Sequence, residues 1–168
     1  THSVWLQWTA PASGVATFKT RGSAFDTLLA IYTGTSFSNL VAQAGDDDSG
    51  GYFTSEARVN VSAGTNYIIA IDGLGSASGD IVLSWNLATN VPSIPMITQP
   101  PADVTVTNGG NATFSVTANG TNVTYQWYFN NSQVITGATS ATLTITNLGR
   151  TNVGYYSVNV TGTNGQTV

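Results

Sequence analysis

Few side chains in this sequence could act as catalytic groups. The chain of 168 residues holds one histidine, His2, one glutamate, Glu56, and no cysteine. A Ser-His-Asp triad would depend on a histidine with almost no chain before it to position it. Glu56 has no carboxylate partner that the sequence singles out for acid/base work on a glycosidic bond. The side-chain inventory therefore predicts a protein that is not an enzyme.

Asp46, Asp47 and Asp48 form the one dense group of charges, and a Ser-Gly-Gly run follows them directly. Hard cations prefer several carboxylate and carbonyl oxygens gathered on a flexible turn, and Asp26 or Asp72 from neighbouring strands could add to the set. Aspartate also favours turns for conformational reasons alone. Two interpretations stay open: a calcium site formed by the three consecutive aspartates with Asp26, or a solvated turn without a metal. No other cofactor is suggested.

Exposed aromatic rings could stack on a sugar, and alternation along the first strand narrows the choice. Val4, Leu6 and Trp8 fall on one face of a strand and Trp5 on the other. We expect the first three to face the core and Trp5 to be exposed. Tyr52, beside a glycine turn, is the second exposed candidate. Trp5 and Tyr52 are the candidate ligand-binding residues, with simple packing as the alternative.

The elements that must position these residues are β-strands. Apolar and polar residues alternate over short stretches broken by Gly, Asn and Asp, and nothing keeps a helical period over ten residues. Strands spaced roughly eight to twelve residues apart are typical of β-sandwiches. The pattern predicts strands at 3–9, 14–20, 27–33, 40–44, 55–61, 65–72, 80–87, 103–107, 112–118, 123–129, 133–135, 141–146 and 155–161.

A proline-rich segment separates two groups of strands. Residues 88–101 hold four of the five prolines and break the alternation, as a semi-rigid linker would. We predict an all-β fold class with two tandem β-sandwich domains at 1–88 and 98–168, joined by a Pro-rich linker at 89–97.

The charge of the chain argues against two classes of partner. Four basic residues and a formal net charge of −4 do not supply the electrostatic footprint that nucleic acid or anionic lipid requires. No apolar run approaches the roughly 18–20 residues of a membrane span. We therefore expect no nucleic-acid binding and no direct membrane insertion.

The second half contains Trp127 in VTYQWYF and the segment TNVGYYSV at 151–158. With these two motifs it resembles an immunoglobulin domain of the I-set type found in bacterial surface proteins, and Tyr156 matches the tyrosine corner of that family. The resemblance implies that the two positions of the family's inter-sheet disulfide fall on Val116 and Val158. It further implies a structural core, without a disulfide, formed by Val116, Trp127, Tyr156 and Val158.

The first half contains five motifs: SVWLQWTAPASG at 3–14, FDTLLAIYTG at 25–34, GDDDSGG at 45–51, AGTNYIIAIDG at 63–73 and GDIVLSW at 79–85. With these motifs it resembles the bacterial pre-peptidase C-terminal (PPC) domain. That family is a jelly-roll-like sandwich appended to secreted peptidases and also found along large surface proteins. The resemblance implies an extracellular or cell-surface location, and in some relatives a bound calcium ion.

Both resemblances lead us to expect open sheet edges. The sequence after the tyrosine-corner strand is too short for the full last strand of an immunoglobulin domain, and the PPC resemblance begins after that family's opening segment. An unpaired edge recruits another strand, supplied either by the same chain or by a neighbouring subunit.

The sequence as a whole predicts a non-catalytic structural or adhesive building block of a bacterial secreted or cell-surface assembly, such as a stalk, adhesin repeat or filament subunit. The alternative is an accessory module that holds carbohydrate or protein close to a secreted hydrolase. The expected partners are other copies of the chain or neighbouring domains of a larger chain, and surface carbohydrate or protein is a further candidate.

Overall fold

The computed structural model describes residues 3–163, 165, 167 and 168, which form β-strands joined by turns and by short 3-10 segments at Phe37–Asn39, Leu74–Ser76 and Arg150–Asn152. The all-β fold class predicted from the sequence is confirmed. The chain divides into two compact units, Thr1–Val91 and Pro92–Val168. No helix in the described part of the chain is long and apolar enough to cross a membrane.

The first unit is a sandwich of two antiparallel sheets. Its described strands are β1 (Val4–Thr9), β2 (Gly14–Lys19), β3 (Thr27–Thr33), β4 (Val41–Asp46), β5 (Glu56–Val61), β6 (Asn66–Gly73) and β7 (Ser84–Ala88). One sheet has the order β1-β6-β3-β4 and the other β5-β2-β7. Ile31, Ile69 and Ile71 of the four-stranded sheet pack against Ala16 and Phe18 of the three-stranded sheet, all buried. Alternate residues of each strand therefore build one core.

The second unit contains β8 (Met96–Gln99), β9 (Ala112–Ser115), β10 (Thr117–Asn119), β11 (Thr124–Phe129), β12 (Gln133–Val134), β13 (Thr142–Ile145) and β14 (Tyr156–Thr161) among the described residues. They pair as β10-β8, β13-β9 and β12-β11-β14. Trp127 is fully buried and lies opposite Val158 in the β11–β14 register. Val116, Leu143 and Val160 complete the buried cluster.

The last strand of the first unit is shorter than predicted. The alternation predicted a strand over 80–87, but β7 begins at Ser84. The Ser23 hydroxyl accepts a hydrogen bond from the Val82 N–H at 3.0 Å and donates to the Val82 carbonyl at 3.3 Å. Because the Ser23 side chain satisfies the N–H and C=O groups of Val82, these groups need no neighbouring strand.

The predicted strand at 103–107 does not form. The alternation of Val104 and Val106 suits a strand, yet none of residues 101–107 is in one. A strand requires a hydrogen-bonded neighbour, and no described strand is hydrogen-bonded to this segment. By contrast, Met96–Gln99, part of which the sequence assigned to the linker, forms β8 because it contains no proline and pairs with β10.

The inward face of β1 is less covered than predicted. Val4 and Leu6 share the core-facing side of β1 with Trp8, opposite the buried Ile71 and Ile69 of β6. Both nevertheless stay exposed. The expectation that they would be buried was wrong, because β1 is an edge strand. Of these three side chains, Trp8 packs against the core.

Candidate functional site

Three of the four predicted metal ligands lie together. Carboxylate oxygens of Asp26, Asp47 and Asp48 lie within 4.8 Å of one another. Asp47 and Asp48 follow β4, and Asp26 immediately precedes β3. Since β3 and β4 are antiparallel neighbours, the start of one and the end of the other meet at the same end of the sheet. We call these three residues the acidic cluster.

Asp46, the fourth predicted ligand, has a different role. Its carboxylate accepts hydrogen bonds from the Ser49 N–H at 2.9 Å, the Ser49 hydroxyl at 2.6 Å and the Glu56 N–H at 2.7 Å. These contacts close the turn after β4 and join it to the start of β5. Asp46 therefore shapes the loop that carries Asp47 and Asp48, and its carboxylate is occupied by these three hydrogen bonds.

A buried group of hydroxyl side chains contacts the backbone of the acidic cluster. Thr20 Oγ1 and Thr27 Oγ1 lie 2.6 Å apart, and Thr27 Oγ1 lies 3.1 Å from Ser55 Oγ. Ser55 Oγ in turn lies 2.8 Å from the carbonyl oxygen of Asp47. All three hydroxyl side chains are buried. A satisfied buried polar network is rigid, so the backbone of Asp47 is held in a defined place.

Two oxygens of the acidic cluster lack protein partners. Asp26 Oδ1 and Asp47 Oδ1 are buried atoms that accept no hydrogen bond from any described residue. Burial of the carboxylate raises the pKa of Asp47, and the charges of Asp48, Asp26 and Asp46 raise it further. An all-oxygen donor set with uncompensated negative charge suits a hard cation such as calcium. The residues present thus fit the metal that the sequence suggested.

Trp5, the first candidate ligand residue, belongs to an aromatic group that the sequence did not identify. Its ring stacks on Tyr32 with centroids 5.9 Å apart and meets Phe37 edge-on at 5.2 Å. Trp5 is 39% exposed and Phe37 is 77% exposed. Alternation places Trp5 and Tyr32 on the outer face of the four-stranded sheet, but it could not show that the 3-10 segment carrying Phe37 folds over that face.

Tyr52, the second candidate, lies on the loop between β4 and β5. It is 91% exposed, and both Tyr52 and Phe53 adopt left-handed backbone conformations, with φ of 55° and 63°. Such conformations are unfavourable for aromatic residues with a Cβ. In the described part of the chain, the ring contacts of Trp5 are with Tyr32 and Phe37, so the structure does not bring Tyr52 into that group.

The predicted core residues of the second unit lie in one cluster. Val116 and Val158 are buried with Trp127, whose indole N–H donates to the Ser140 carbonyl at 2.9 Å. Tyr156 packs against this cluster, and its hydroxyl donates to the Asn152 carbonyl at 2.9 Å. Partial burial raises the pKa of Tyr156. These contacts are structural and leave no reactive group exposed.

Among the described residues, the outer edge of β14 has no paired strand from Tyr156 to Asn159. β11 pairs with one edge of the strand. On the other edge Val160 exchanges two backbone hydrogen bonds with Val168, at 2.9 and 3.0 Å, and Thr161 bridges Thr167. Alternate residues of an antiparallel strand direct their N–H and C=O groups to the same side. Val158 and Tyr156 therefore present theirs to this open edge.

A groove of about 430 Å³ lies beside the open edge of β14. It is lined by Tyr156 at the start of β14 and by residues of 103–107, the segment predicted to be a strand. We call it the β14 groove. Its apolar lining includes Val104, Val106, Phe114, Val153, Tyr155 and Tyr156.

The two remaining residues considered for catalysis form no site in the described structure. Glu56 pairs with Lys19 across β5 and β2 at 2.9 Å, with both side chains partly exposed. His2 lies outside the described residues.

Comparison with known proteins identifies the second unit. Residues 94–161 match the family model of the immunoglobulin domain. The comparison with curated proteins finds no match. Similar solved structures include a chimeric titin Z1Z2-Z1Z2 tandem functionalised with a GRGDS exogenous peptide from fibronectin, at 20% identity over 99% of this chain and 87% of that chain, with a TM-score of 0.42. The amphioxus IgVJ-C2 molecule is 18% identical over 99% of this chain and 94% of that chain, with a TM-score of 0.37. The chain therefore contains an immunoglobulin-like domain at residues 94–161.

Proposed function

We propose that this chain is a non-catalytic building block of a bacterial secreted or cell-surface assembly, and that an extended segment docks on the edge of β14 and completes its sheet. An immunoglobulin-like domain is a structural or interaction module, and its specific role depends on its surfaces. The observation that carries the proposal is the unpaired edge of β14 beside a groove with a partly apolar lining.

Backbone hydrogen bonding supplies the first part of the binding energy. The N–H and C=O groups of Tyr156 and Val158 point to the open edge, next to the pair that Val160 already makes with Val168. An exposed strand edge gains a ladder of hydrogen bonds from any extended segment that docks on it. A segment that continues the Val160–Val168 pair would run antiparallel to β14.

Side-chain packing supplies the second part of the binding energy and determines which residue types the docked strand needs. Val158 and Val160 point into the core, and Val168 lies opposite Val160. Every second residue of the docked strand, in step with Val168, therefore faces inward. Apolar residues at those positions would cover Phe114 and Tyr156 at the floor of the β14 groove.

The test extends the chain directly after Val168 with a short strand that has apolar residues at its second and fourth positions. If a neighbour normally supplies the strand, the unextended chain forms concentration-dependent oligomers, and the extended chain is monomeric. Light scattering coupled to size-exclusion chromatography measures both. The matched control carries serine at the two apolar positions and should associate like the unextended chain.

Two outcomes would contradict assembly by strand exchange. Oligomers that persist in the extended chain would place the contact elsewhere. An unextended chain that stays monomeric, but whose second unit is strongly stabilised by the extension, would mean that the strand comes from the same chain.

The acidic cluster has a supporting role in this proposal. Calcium bound by Asp26, Asp47 and Asp48 would neutralise the repulsion at one end of the first unit and stiffen the β4–β5 loop. The proposed location outside the cell, where calcium is abundant, rests on the PPC-like motifs of residues 3–87 and is compatible with the weakly charged, hydroxyl-rich composition.

A further inference from the structure

The outer face of the four-stranded sheet carries a second groove, independent of β14. Two adjoining depressions of about 240 and 400 Å³ share Gln7, Thr35 and Ile68 in their walls. We call them together the outer-face groove. The first depression is bounded by Trp5 and Phe37, and the second by Thr65 and Asn66.

One end of the outer-face groove is aromatic. Trp5 is braced by Tyr32, which stacks on it, and by Phe37, which meets it edge-on. The indole N–H donates to Ser3 Oγ at 2.9 Å, which fixes the orientation of the ring. A braced and exposed indole loses little conformational entropy when a ligand packs on it. Phe37 is exposed although it is strongly apolar, which is unfavourable unless something covers it.

The other end offers neutral hydrogen-bonding groups. The Gln7 amide makes no hydrogen bond with any described residue and is exposed. Asn66 uses its carbonyl oxygen to accept from Thr9 at 2.6 Å, which leaves its NH₂ group directed elsewhere. The Thr65 hydroxyl adds a group that can both donate and accept.

No side chain lining the outer-face groove is ionisable. The groove therefore offers an aromatic face, amides and hydroxyls, but no charge with which to pair a charged ligand. The C–H groups on one face of a sugar ring pack on the electron-rich face of an aromatic ring, while the sugar hydroxyls hydrogen-bond to amides and hydroxyls. An apolar protein surface would leave the free Gln7 amide unpaired, which costs free energy.

From these observations we infer that the outer-face groove binds a neutral oligosaccharide, with Trp5 as the stacking platform and Gln7 and Asn66 as hydrogen-bonding residues. This site goes beyond the proposed role in assembly and does not depend on it. It would give each subunit of an assembly a means of attachment to a glycan surface.

Isothermal titration of the full chain with cellohexaose, chitohexaose, maltohexaose and mannohexaose tests the inference, with hexagalacturonate as the charged comparison. At least one neutral sugar should bind, and hexagalacturonate should not. Trp5→Ala should weaken binding by about tenfold, which corresponds to about 1.4 kcal/mol, because the stacking face is lost. Trp5→Phe keeps an aromatic face and should restore part of the affinity.

Two further variants separate sugar contact from general stability. Phe37→Ala should weaken binding several-fold, whereas Phe53→Ala, an equally exposed phenylalanine outside the groove, should not. Gln7→Ala should weaken binding without changing the melting temperature. Failure of all four neutral sugars to bind, binding that Trp5→Ala leaves unchanged, or a preference for hexagalacturonate would each overturn the inference.

Discussion

Apolar side chains surround Trp127 at the place where the immunoglobulin family, which the second unit resembles, has a disulfide. Val116 and Val158 occupy the two cysteine positions implied by that resemblance, and both are buried against the indole. Packing alone must then hold the two sheets together at this point. Its free energy depends on how completely the valine methyl groups fill the space, because buried gaps forfeit dispersion contacts.

Val158→Ala should therefore destabilise the second unit by about 1–3 kcal/mol through the cavity that it leaves. Urea unfolding followed by the NMR signal of the Trp127 indole measures this change. Val134→Ala, at an exposed position on β12, is the matched control and should have little effect. An unchanged midpoint for Val158→Ala would remove Val158 from the core assignment.

Asp47 is predicted to be a destabilising residue when no metal is bound. Its pKa is raised in the folded protein, so the folded state binds the proton more tightly than the unfolded state and loses stability as the pH rises through that pKa. In calcium-free buffer at neutral pH, Asp47→Asn should raise the melting temperature of the first unit. The difference should shrink as the pH falls towards the ordinary aspartate pKa, because the wild-type carboxyl then becomes neutral.

Calcium should reverse the order of the melting temperatures of the wild type and Asp47→Asn. The melting temperature of the wild type should rise with the logarithm of the calcium concentration, and that of Asp47→Asn should rise less. Ser49→Ala is a useful companion, since it disturbs the Asp46 turn without removing a carboxylate from the cluster. Identical wild-type melting curves in calcium and in chelator would show that the loop is only a turn.

Among the elements, β14 carries the most specific expectation. The amide hydrogens of Tyr156 and Val158 point to the open edge and should exchange rapidly in the isolated chain, whereas that of Val160 is bonded to Val168 and should exchange more slowly. Extension of the chain by a complementary strand should protect the first two. Amides of Tyr156 and Val158 that are already protected in the monomer would contradict an open edge.

The sequence predicted local features well and long-range neighbours poorly. The resemblance to the immunoglobulin family implied that Val116 and Val158 lie beside Trp127, and in the structure the three side chains share one buried cluster. The suggestion that Asp26 lies close to Asp47 rested on the expectation that their strands are neighbours in the sheet, and the structure brings the two carboxylates together. The sequence did not reveal that the Asp46 carboxylate closes its own turn, because a hydrogen-bond partner is not visible in residue type.

Two other features also could not be derived from alternation. Val104 and Val106 have the pattern of a strand, but whether a strand forms depends on a neighbour elsewhere in the chain. Phe37 reaches Trp5 through the path of a loop, which no period describes. Both grooves were missed for the same reason: each is bounded by a segment of irregular backbone.

At the scale of the whole molecule, charge contributes little to stability. The chain has four basic and eight acidic residues, and the Lys19–Glu56 pair lies at a partly exposed surface. Exposed pairs contribute roughly 0–1 kcal/mol. Raising sodium chloride from about 0.05 to about 0.5 M should therefore change the melting temperature only slightly, since screening has few interactions to weaken.

Sodium sulfate provides the comparison, because it strengthens apolar burial and should raise the melting temperature clearly. Differential scanning calorimetry in the two salts distinguishes these effects. A large loss of stability in sodium chloride would mean that charge interactions matter more than the composition suggests.

The absence of a covalent cross-link in the Trp127 cluster has a consequence for biogenesis. No oxidation step delays folding, so the domain can fold in a reducing compartment as readily as in an oxidising one. An export route that requires an unfolded chain must then outpace folding itself. The pairing of β11 with β14, and of other strands far apart in sequence, favours slow folding, because distant segments must meet before any bond forms. Under the proposed location outside the cell, slow strand pairing would give such an export route time to act before the domain has folded.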